Sequence, residues 1–284
     1  MPTKVGRGLI EIKKRLDRLG TKSEIASLED VEFFIEKNNT QAFIKNKDIT
    51  KYKTIFFRNV AEKKNIAFII SNIAKKYNIT CIDKLYINTN EASKLKQTFC
   101  LANGNISVPK TYFCRKYTQK NIKRAVQFLG LPVVIKRSKG RGGEGVSLAK
   151  NAKEIYTKLK NKKPGEEIIL QEFIPNTFDY RIVVLGNTIG VYQTRTRIDP
   201  EEFRNNACLG AKEDFFDTNE LSTSVKKIAL RAAKVANIQV AGVDVVVDKN
   251  NKPYIFEVNR TPGVSRPETF EKIAKYLSSL EKIK

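Results

Sequence analysis

Apolar positions along the chain switch repeatedly between a helical and a strand period. Leu9, Ile10, Ile12, Leu16 and Leu19 share one helical face, which stops at Gly20. A short strand is expected at 24–27. "YKTIFFR" (52–58) reads as a strand, 61–78 as a helix, "ITCID" (79–83) as a strand and 90–105 as a helix with a glycine stop. A second unit begins at "VPKTYFC" (108–114). It continues with a helix near 118–129, the strand "LPVVIK" (131–136), a glycine loop at 139–145 and the strand "VSLAK" (146–150). A helix follows, with Asn151 as N-cap and Glu154 at the capping-box position. Strands at 167–173, 180–186 and 189–195 lead to an irregular stretch, 198–218, and a helix near 219–237. A hairpin at 241–259 and a final helix near 267–282 complete the series. Strands alternating with helices predict an α/β (α+β) chain with a partly parallel sheet.

The hairpin "AGVDVVVDKNNKPYIFEVN" carries an unusual polar face. Asn tolerates positive φ, so Asn250 and Asn251 suit a two-residue turn. In that register Val247 faces Tyr254, Val245 faces Phe256 and Val243 faces Val258, an apolar face expected to be core. The opposite face sets Asp244 against Glu257, with Asn259 one step along. Two carboxylates about 5 Å apart across a ladder repel. A half-buried sheet tolerates them only with a cation between them or a shared proton. Two carboxylates and an amide carbonyl make an all-oxygen cluster suited to Mg²⁺. The alternative is an Asp–Glu pair satisfied by Lys or Arg, with Arg260 as the candidate.

Composition narrows the chemistry. The 284 residues suffice for two domains or one large one. There is no His, and the four cysteines are scattered. That excludes His-based acid–base chemistry, Cys–His nucleophiles and most zinc sites. A metal here is held by oxygen, which favours Mg²⁺, Mn²⁺ or Ca²⁺. The amino terminus lacks the apolar run of a secretory signal, and no apolar stretch is long enough to span a bilayer, so a cytoplasmic protein is expected. The net charge is +23. Residues 101–150 hold eleven Lys/Arg and one acidic residue, whereas 201–250 hold seven against eight. A basic balance suits anionic partners, although heavy use of Lys throughout explains the bulk charge equally well.

The charge of 101–150 coincides with "LPVVIKRSKGRGGEGVSL". Its G-x-G-x-x-G is not a dinucleotide fingerprint, because a strand rather than a helix follows. No Gly-Lys-Ser/Thr follows either. A glycine turn between antiparallel strands still folds over phosphates through its N–H groups. Lys136, at the base of that loop, is placed to reach phosphate oxygens; a strand-end lysine that snorkels to water is the alternative. Arg195, Arg197, Arg204, Asn205 and Asn206 offer donors for phosphate or a developing oxyanion.

The order of these pieces resembles the ATP-grasp superfamily of carboxylate–amine ligases, with a glutathione-synthetase-like ATP-binding fold, and most closely its RimK-type branch. The likeness rests on Lys94 in "ASKLKQT", "LPVVIK" with its glycine loop, "LQEFI", "DYRIVVLG", "RTRIDPEEFRNNACLGA", "AGVDVV" and "FEVNRTPG". It covers about 85–284. The resemblance implies that Lys94 and Lys136 contact ATP phosphates, and that Gly140, Gly142, Gly143 and Gly145 belong to a mobile loop over the triphosphate. It implies that Glu172 and Phe173 lie at the adenine hinge and Asp179 near the ribose. Arg204 and Asn206 would bind phosphate and stabilise a tetrahedral intermediate, with Asn205 beside them and Arg195 as a second oxyanion donor. Asp244, Glu257 and Asn259 match the magnesium ligands, the three residues that the hairpin register selects independently.

The family's amino-terminal domain begins with a strand and a glycine turn, whereas this chain is expected to enter at the following helix. The expected division is an abbreviated α/β domain over 1–107 and an ATP-grasp domain over 108–284, with subdomains near 108–172 and 173–284. The implied activity is an ATP- and Mg²⁺- (or Mn²⁺-) dependent ligase that joins a carboxylate to an amine through an acylphosphate. An amino acid such as glutamate would be added to a peptide, protein or small-molecule acceptor. Expected partners are ATP and the two substrates, an acidic peptide or protein tail among them, with a second copy of the chain as a further candidate and no membrane. Two other classes stand beside this reading: an ATP-binding protein without ligase activity, and a basic nucleic-acid binder, for which no recognised motif is present.

Overall fold

The computed structural model describes residues 6–58, 60, 63–84, 93–138, 140, 145–160, 162–163, 165–205, 209–260, 262–263 and 266–281. Gly142, Gly143 and Asn206 lie outside the described residues. Helix α1 (Arg7–Arg18) follows the expected apolar face, burying Ile12 and Leu16. The strand expected at 24–27 is absent. Ser27 instead caps a single 3₁₀ turn, Leu28–Asp30, through a capping box with Asp30. An antiparallel sheet follows that the pattern did not announce: β1 (Val31–Glu36), β2 (Asn39–Ile44) and β3 (Lys47–Asp48). Phe33, Phe34 and Ile35 run consecutively, with Phe34 and Ile35 exposed, so the two-residue alternation is broken. Strands β4 (Thr54–Phe56) and β5 (Thr80–Ile82) are parallel and flank α2 (Lys64–Lys76), and no other parallel pair occurs among the described strands.

Helix α3 (Lys94–Asn103) starts at the Ser93 cap. Strands β6 (Thr111–Tyr112), β7 (Val133–Arg137), β8 (Val146–Ala149) and β9 (Ile168–Glu172) form an antiparallel sheet in the order β6-β9-β7-β8. Helices α4 (Gln119–Leu129) and α5 (Ala152–Lys160) cover one of its faces. Ile122, Ala125, Leu129, Ile155 and Leu159 pack there on Val133, Ile135 and Leu170. The strand after the glycine loop returns antiparallel, as expected. Gly140 and Gly145 both have positive φ (143° and 68°), where a side chain is strained.

The largest sheet has the order β12-β11-β10-β13-β14 and is antiparallel throughout. Its strands are β10 (Phe178–Leu185), β11 (Thr188–Thr196), β12 (Lys212–Phe216), β13 (Val240–Val247) and β14 (Pro253–Asn259). β12 lies inside the stretch expected to be irregular; its sequence KEDFF, at the sheet edge, has no alternation to betray it. Helix α6 (Thr223–Val235) packs on one face against Ile182, Val184, Val243 and Val245. Helices α1 and α7 (Pro267–Glu281) pack on the other, against Val183, Leu185, Val191 and Val240. Both faces are therefore buried, which explains the unbroken apolar run in β10. On the α7 side, successive inward positions of β13 are Val240, Gly242 and Asp244. Val240 lies under the helices. A Cβ on Gly242 would come within 2.9 Å of Pro262 Cβ, so only glycine admits that chain there. Asp244 comes next, buried against Arg181 and Arg195.

The β13–β14 turn corrects the expected register. Asp248 pairs with Lys252 and the loop holds three residues, with Asn251 at φ 60°. The Asp248 carboxylate accepts N–H groups from Asn250 and Lys252 at 2.8 and 2.9 Å. The extra loop residue shifts the pairing by one, so Val246 rather than Val247 faces Tyr254. A bulge beside Val245 then shifts it back, and Asp244 faces Glu257 as expected. Ile255 and Val258 are the core residues, whereas Phe256 is only partly buried.

Candidate active site

Asp244 and Glu257 meet across the β13–β14 ladder, surrounded by cations from four elements. Arg181 lies directly across from Asp244 in the β10–β13 ladder, with Nε 2.8 Å from Asp244 Oδ1. Arg195, on β11, places Nη2 3.3 Å from the same oxygen. Lys94, the first residue of α3, donates to Glu257 Oε1 at 2.7 Å. The Gln97 side chain fixes α3 along the free edge of β14, donating to the Val258 carbonyl at 2.7 Å and accepting its N–H at 2.9 Å. Lys136 reaches across from the other sheet, its Nζ 5.1 Å from the centre of the Phe256 ring. Burial pushes Lys136 down to about 8, Lys94 acting in the same direction and Glu257 and Asp244 opposing.

Asp179 and Arg195 form a buried bidentate pair, with Nε donating to Oδ1 at 2.7 Å and Nη2 to Oδ2 at 2.8 Å. Burial raises Asp179, with Arg195 pulling it back. Both of its oxygens engage Arg195, so Asp179 orients that guanidinium toward Asp244. Arg181 and Arg195 pair with Asp244, and Lys94 pairs with Glu257, the kind of partner that the alternative to a metal site foresaw.

A second group of side chains gathers beyond β9 and β11. Arg204 donates to Glu202 through Nε (2.8 Å) and Nη2 (2.6 Å), holding Glu202 down at about 2. Buried Asn205 donates to Asn176 Oδ1 at 2.6 Å, and Arg197 donates to the Asn176 carbonyl at 2.6 Å. The rings of Phe173 and Phe203 meet edge to face at 6.3 Å. Glu172 is held at both groups by Lys110: its carboxylate accepts the Lys110 N–H at 2.8 Å and its own N–H donates to the Lys110 carbonyl at 3.0 Å. Arg204 and Asn205 thus sit near Phe173 and Asn176, and Lys94, Lys136, Arg195, Asp244 and Glu257 sit together. Sequence reasoning missed Arg181, Gln97 and Phe256. Arg181 is two residues from Asp179 on the same face of β10, so pairing β10 with β13 would have found it. The bulge that turns Phe256 toward Lys136 leaves no mark in the sequence.

The donor set fits a hard divalent cation. Among the described residues no three His, Cys, Asp or Glu side chains gather. The set is two carboxylates with the Asn259 amide, which is two residues from Glu257 and opposite Gly242. Asp244 Oδ1 is buried against two guanidiniums, Arg181 at 2.8 Å and Arg195 at 3.3 Å, which already meet its charge.

The RimK-like ATP-grasp domain matches residues 91–279, which include every one of these side chains. The chain belongs to the RimK-like ATP-grasp family. Among RimK-like relatives, a probable alpha-L-glutamate ligase of Rhodopirellula baltica is 26% identical over 263 residues, 90% of this chain and 63% of that protein. The chain thus spans less than two thirds of that relative's length. The alpha-aminoadipate–LysW ligase LysX of Saccharolobus solfataricus is 28% identical over 277 residues, covering 92% of this chain and 90% of LysX. The ATP-grasp ligase PsnB, solved with a minimal precursor, Mg and ADP, superposes with a TM-score of 0.72 at 13% identity, over 99% of this chain and 96% of PsnB. The expected ATP-grasp fold is therefore the observed one. Among the described residues no helix is long and apolar enough to cross a membrane.

Proposed function

We propose that this chain is an ATP- and Mg²⁺-dependent ligase that joins a carboxylate to the amine of an amino acid such as glutamate. The observation that carries the reading is the Asp244–Glu257 pair with Lys94, Lys136, Arg181 and Arg195 around it. In this reading Asp244, Glu257 and Asn259 hold the magnesium ion, which when bound offsets charge on the triphosphate. Lys94 and Lys136 take phosphate oxygens. The adenine edge meets the backbone around Phe173, since the Glu172 N–H is already committed to Lys110. Residues 1–107 form the short first domain and 108–284 the ATP-grasp domain, tied together by α1 packing on α7.

A free carboxylate is a poor electrophile. Transfer of the γ-phosphoryl group to its oxygen releases ADP and leaves an acylphosphate. The amine nitrogen then attacks the carbonyl carbon, the C–O bond to phosphate breaks, and the amide forms as the nitrogen loses its proton. Such chemistry needs fixed cations and N–H donors more than a nucleophilic side chain, which a chain without His supplies. Arg195, oriented by Asp179, is the oxyanion donor nearest the acidic pair; Arg204 serves once it leaves Glu202. PsnB was solved with a precursor peptide and LysX is named for a LysW substrate, which supports a peptide or protein tail as acceptor, and the net charge of +23 favours an acidic one. The test is ADP release across a panel of amino acids and acidic peptides, with mass spectrometry of the products. Release that no amino acid stimulates would refute the reading.

A further inference from the structure

Arg58 stands two residues beyond β4, and Asp83 directly follows β5. Both lie at the carboxyl ends of the two parallel strands, the end of an α/β layer where ligands bind. Arg58 is partly buried between Gly8 of α1 and the chain after β14. Its Nη2 donates to the Pro262 carbonyl at 3.3 Å, while Nη1 is shut off from solvent and has no hydrogen-bond partner. Asp83 does not close on it. Asp83 Oδ1 accepts the N–H groups of Gln239 and Val240 at 2.8 and 3.1 Å, and Oδ2 is buried without a partner. Asp83 feels the fields of Arg260 and Arg58. A buried cation with an unmet N–H costs free energy that an incoming anion would return.

The position relative to the reacting groups selects the anion. Pro262 packs over Gly242, where Arg181 Nη1 also lies, and Arg181 contacts Asp244. Among the described residues, contacts through Pro262 and Arg181 link Arg58 to the acidic pair. The carboxylate that is phosphorylated must lie at the triphosphate, so a carboxylate at Arg58 belongs to a part of the substrate that does not react. An amino acid joined through its amine keeps such a group, its α-carboxylate. Resting on the ligase reading above, we propose that Arg58 binds the free α-carboxylate of the incoming amino acid and so selects free amino acids over α-blocked ones.

The test is calorimetric titration of the full chain, saturated with Mg²⁺ and a non-hydrolysable ATP analogue, with the twenty amino acids and their α-amides, L-glutamate and L-isoglutamine first. A charge-assisted contact of this kind predicts a preference of about 10- to 100-fold for the free acid. Arg58→Met is expected to abolish the preference while nucleotide affinity holds, and Arg58→Lys to keep part of it. Met removes a partly buried cation with one unmet N–H at the cost of a single long hydrogen bond to Pro262, so the variant should melt close to the parent. If it does not fold, Arg58→Lys alone decides, by a reduced preference. Equal affinity for acid and amide in the parent, an undiminished preference in the variants, or no binding of any amino acid would overturn the proposal. Failure of ADP release with intact discrimination would strike the ligase reading and leave the Arg58 site standing.

Discussion

Replacing Asp83 by Asn should make the protein more stable at pH 8 and less sensitive to pH. Asp83 is 1% exposed. Burial raises its carboxyl from 3.8 to about 7, opposed by the two backbone N–H groups and by Arg260 and Arg58. Tyr276, itself raised by burial, also senses Asp83. A raised carboxyl pKa means that the folded state holds the proton more tightly than the unfolded chain. The resulting stabilisation is complete below about pH 4 and is lost as pH rises through 7. Three units at about 1.36 kcal/mol each amount to roughly 4 kcal/mol across that window. Asn keeps an oxygen for Gln239 and Val240 and has no proton to lose. Thermal melts of both proteins from pH 4 to pH 8 should therefore diverge, the variant gaining over the parent as pH rises and levelling off above 7. Parallel curves would refute the reasoning, since they would mean that Asp83 is ionised throughout, with a guanidinium closed onto Oδ2.

Other consequences follow from the candidate site. Glu257→Gln and Asp244→Asn should each abolish ATP turnover while circular dichroism and melting report an intact fold; normal turnover in purified Glu257→Gln would remove the metal assignment. Lys136→Ala should weaken nucleotide binding by about 10- to 100-fold, the scale of a lost charge-assisted contact, as read by titration with an ATP analogue. Asp179→Ala leaves Arg195 buried beside Asp244 alone and should cost about 3–5 kcal/mol, measured by urea unfolding; a variant as stable as the parent would show the pair to be dispensable.

The acidic pair was legible because one face of β13 and β14 is apolar, which fixes which residues oppose one another. The expected register was nonetheless wrong over half the hairpin. The three-residue loop moved the pairing by one, and the bulge before Asp244 restored it, so the pair was found through two shifts that cancel. Phe256 was misplaced into the core for the same reason. Strand β12 and the β1–β2 hairpin were not legible because their apolar residues sit side by side rather than alternating. The glycine loop was correctly refused as a dinucleotide fingerprint because a strand follows it. The carboxylates were visible in the sequence and their counter-charges were not. Arg181, Arg195 and Lys94 come from β10, β11 and α3, and only the folded chain brings them together.

Burial decides which of these contacts can open. Lys94 and Glu257 keep 23% and 33% of their side-chain surface, so their ion pair is worth at most about 1 kcal/mol. Arg195 and Asp179 keep 5% and 9%; parting them would strand a charge at several times that cost. Four cations, Lys94, Lys136, Arg181 and Arg195, stand among three carboxylates, Asp179, Asp244 and Glu257. A divalent ion alone would meet that surplus of positive charge and gain little. A triphosphate would bring enough negative charge to attract Lys94 and Lys136, and Glu257 would then be free to hold a metal. In the reading proposed above, nucleotide and metal therefore bind together, and the exchange runs through Lys94, the weakly held cation, while the Asp179–Arg195 pair stays closed and keeps its guanidinium aimed at Asp244.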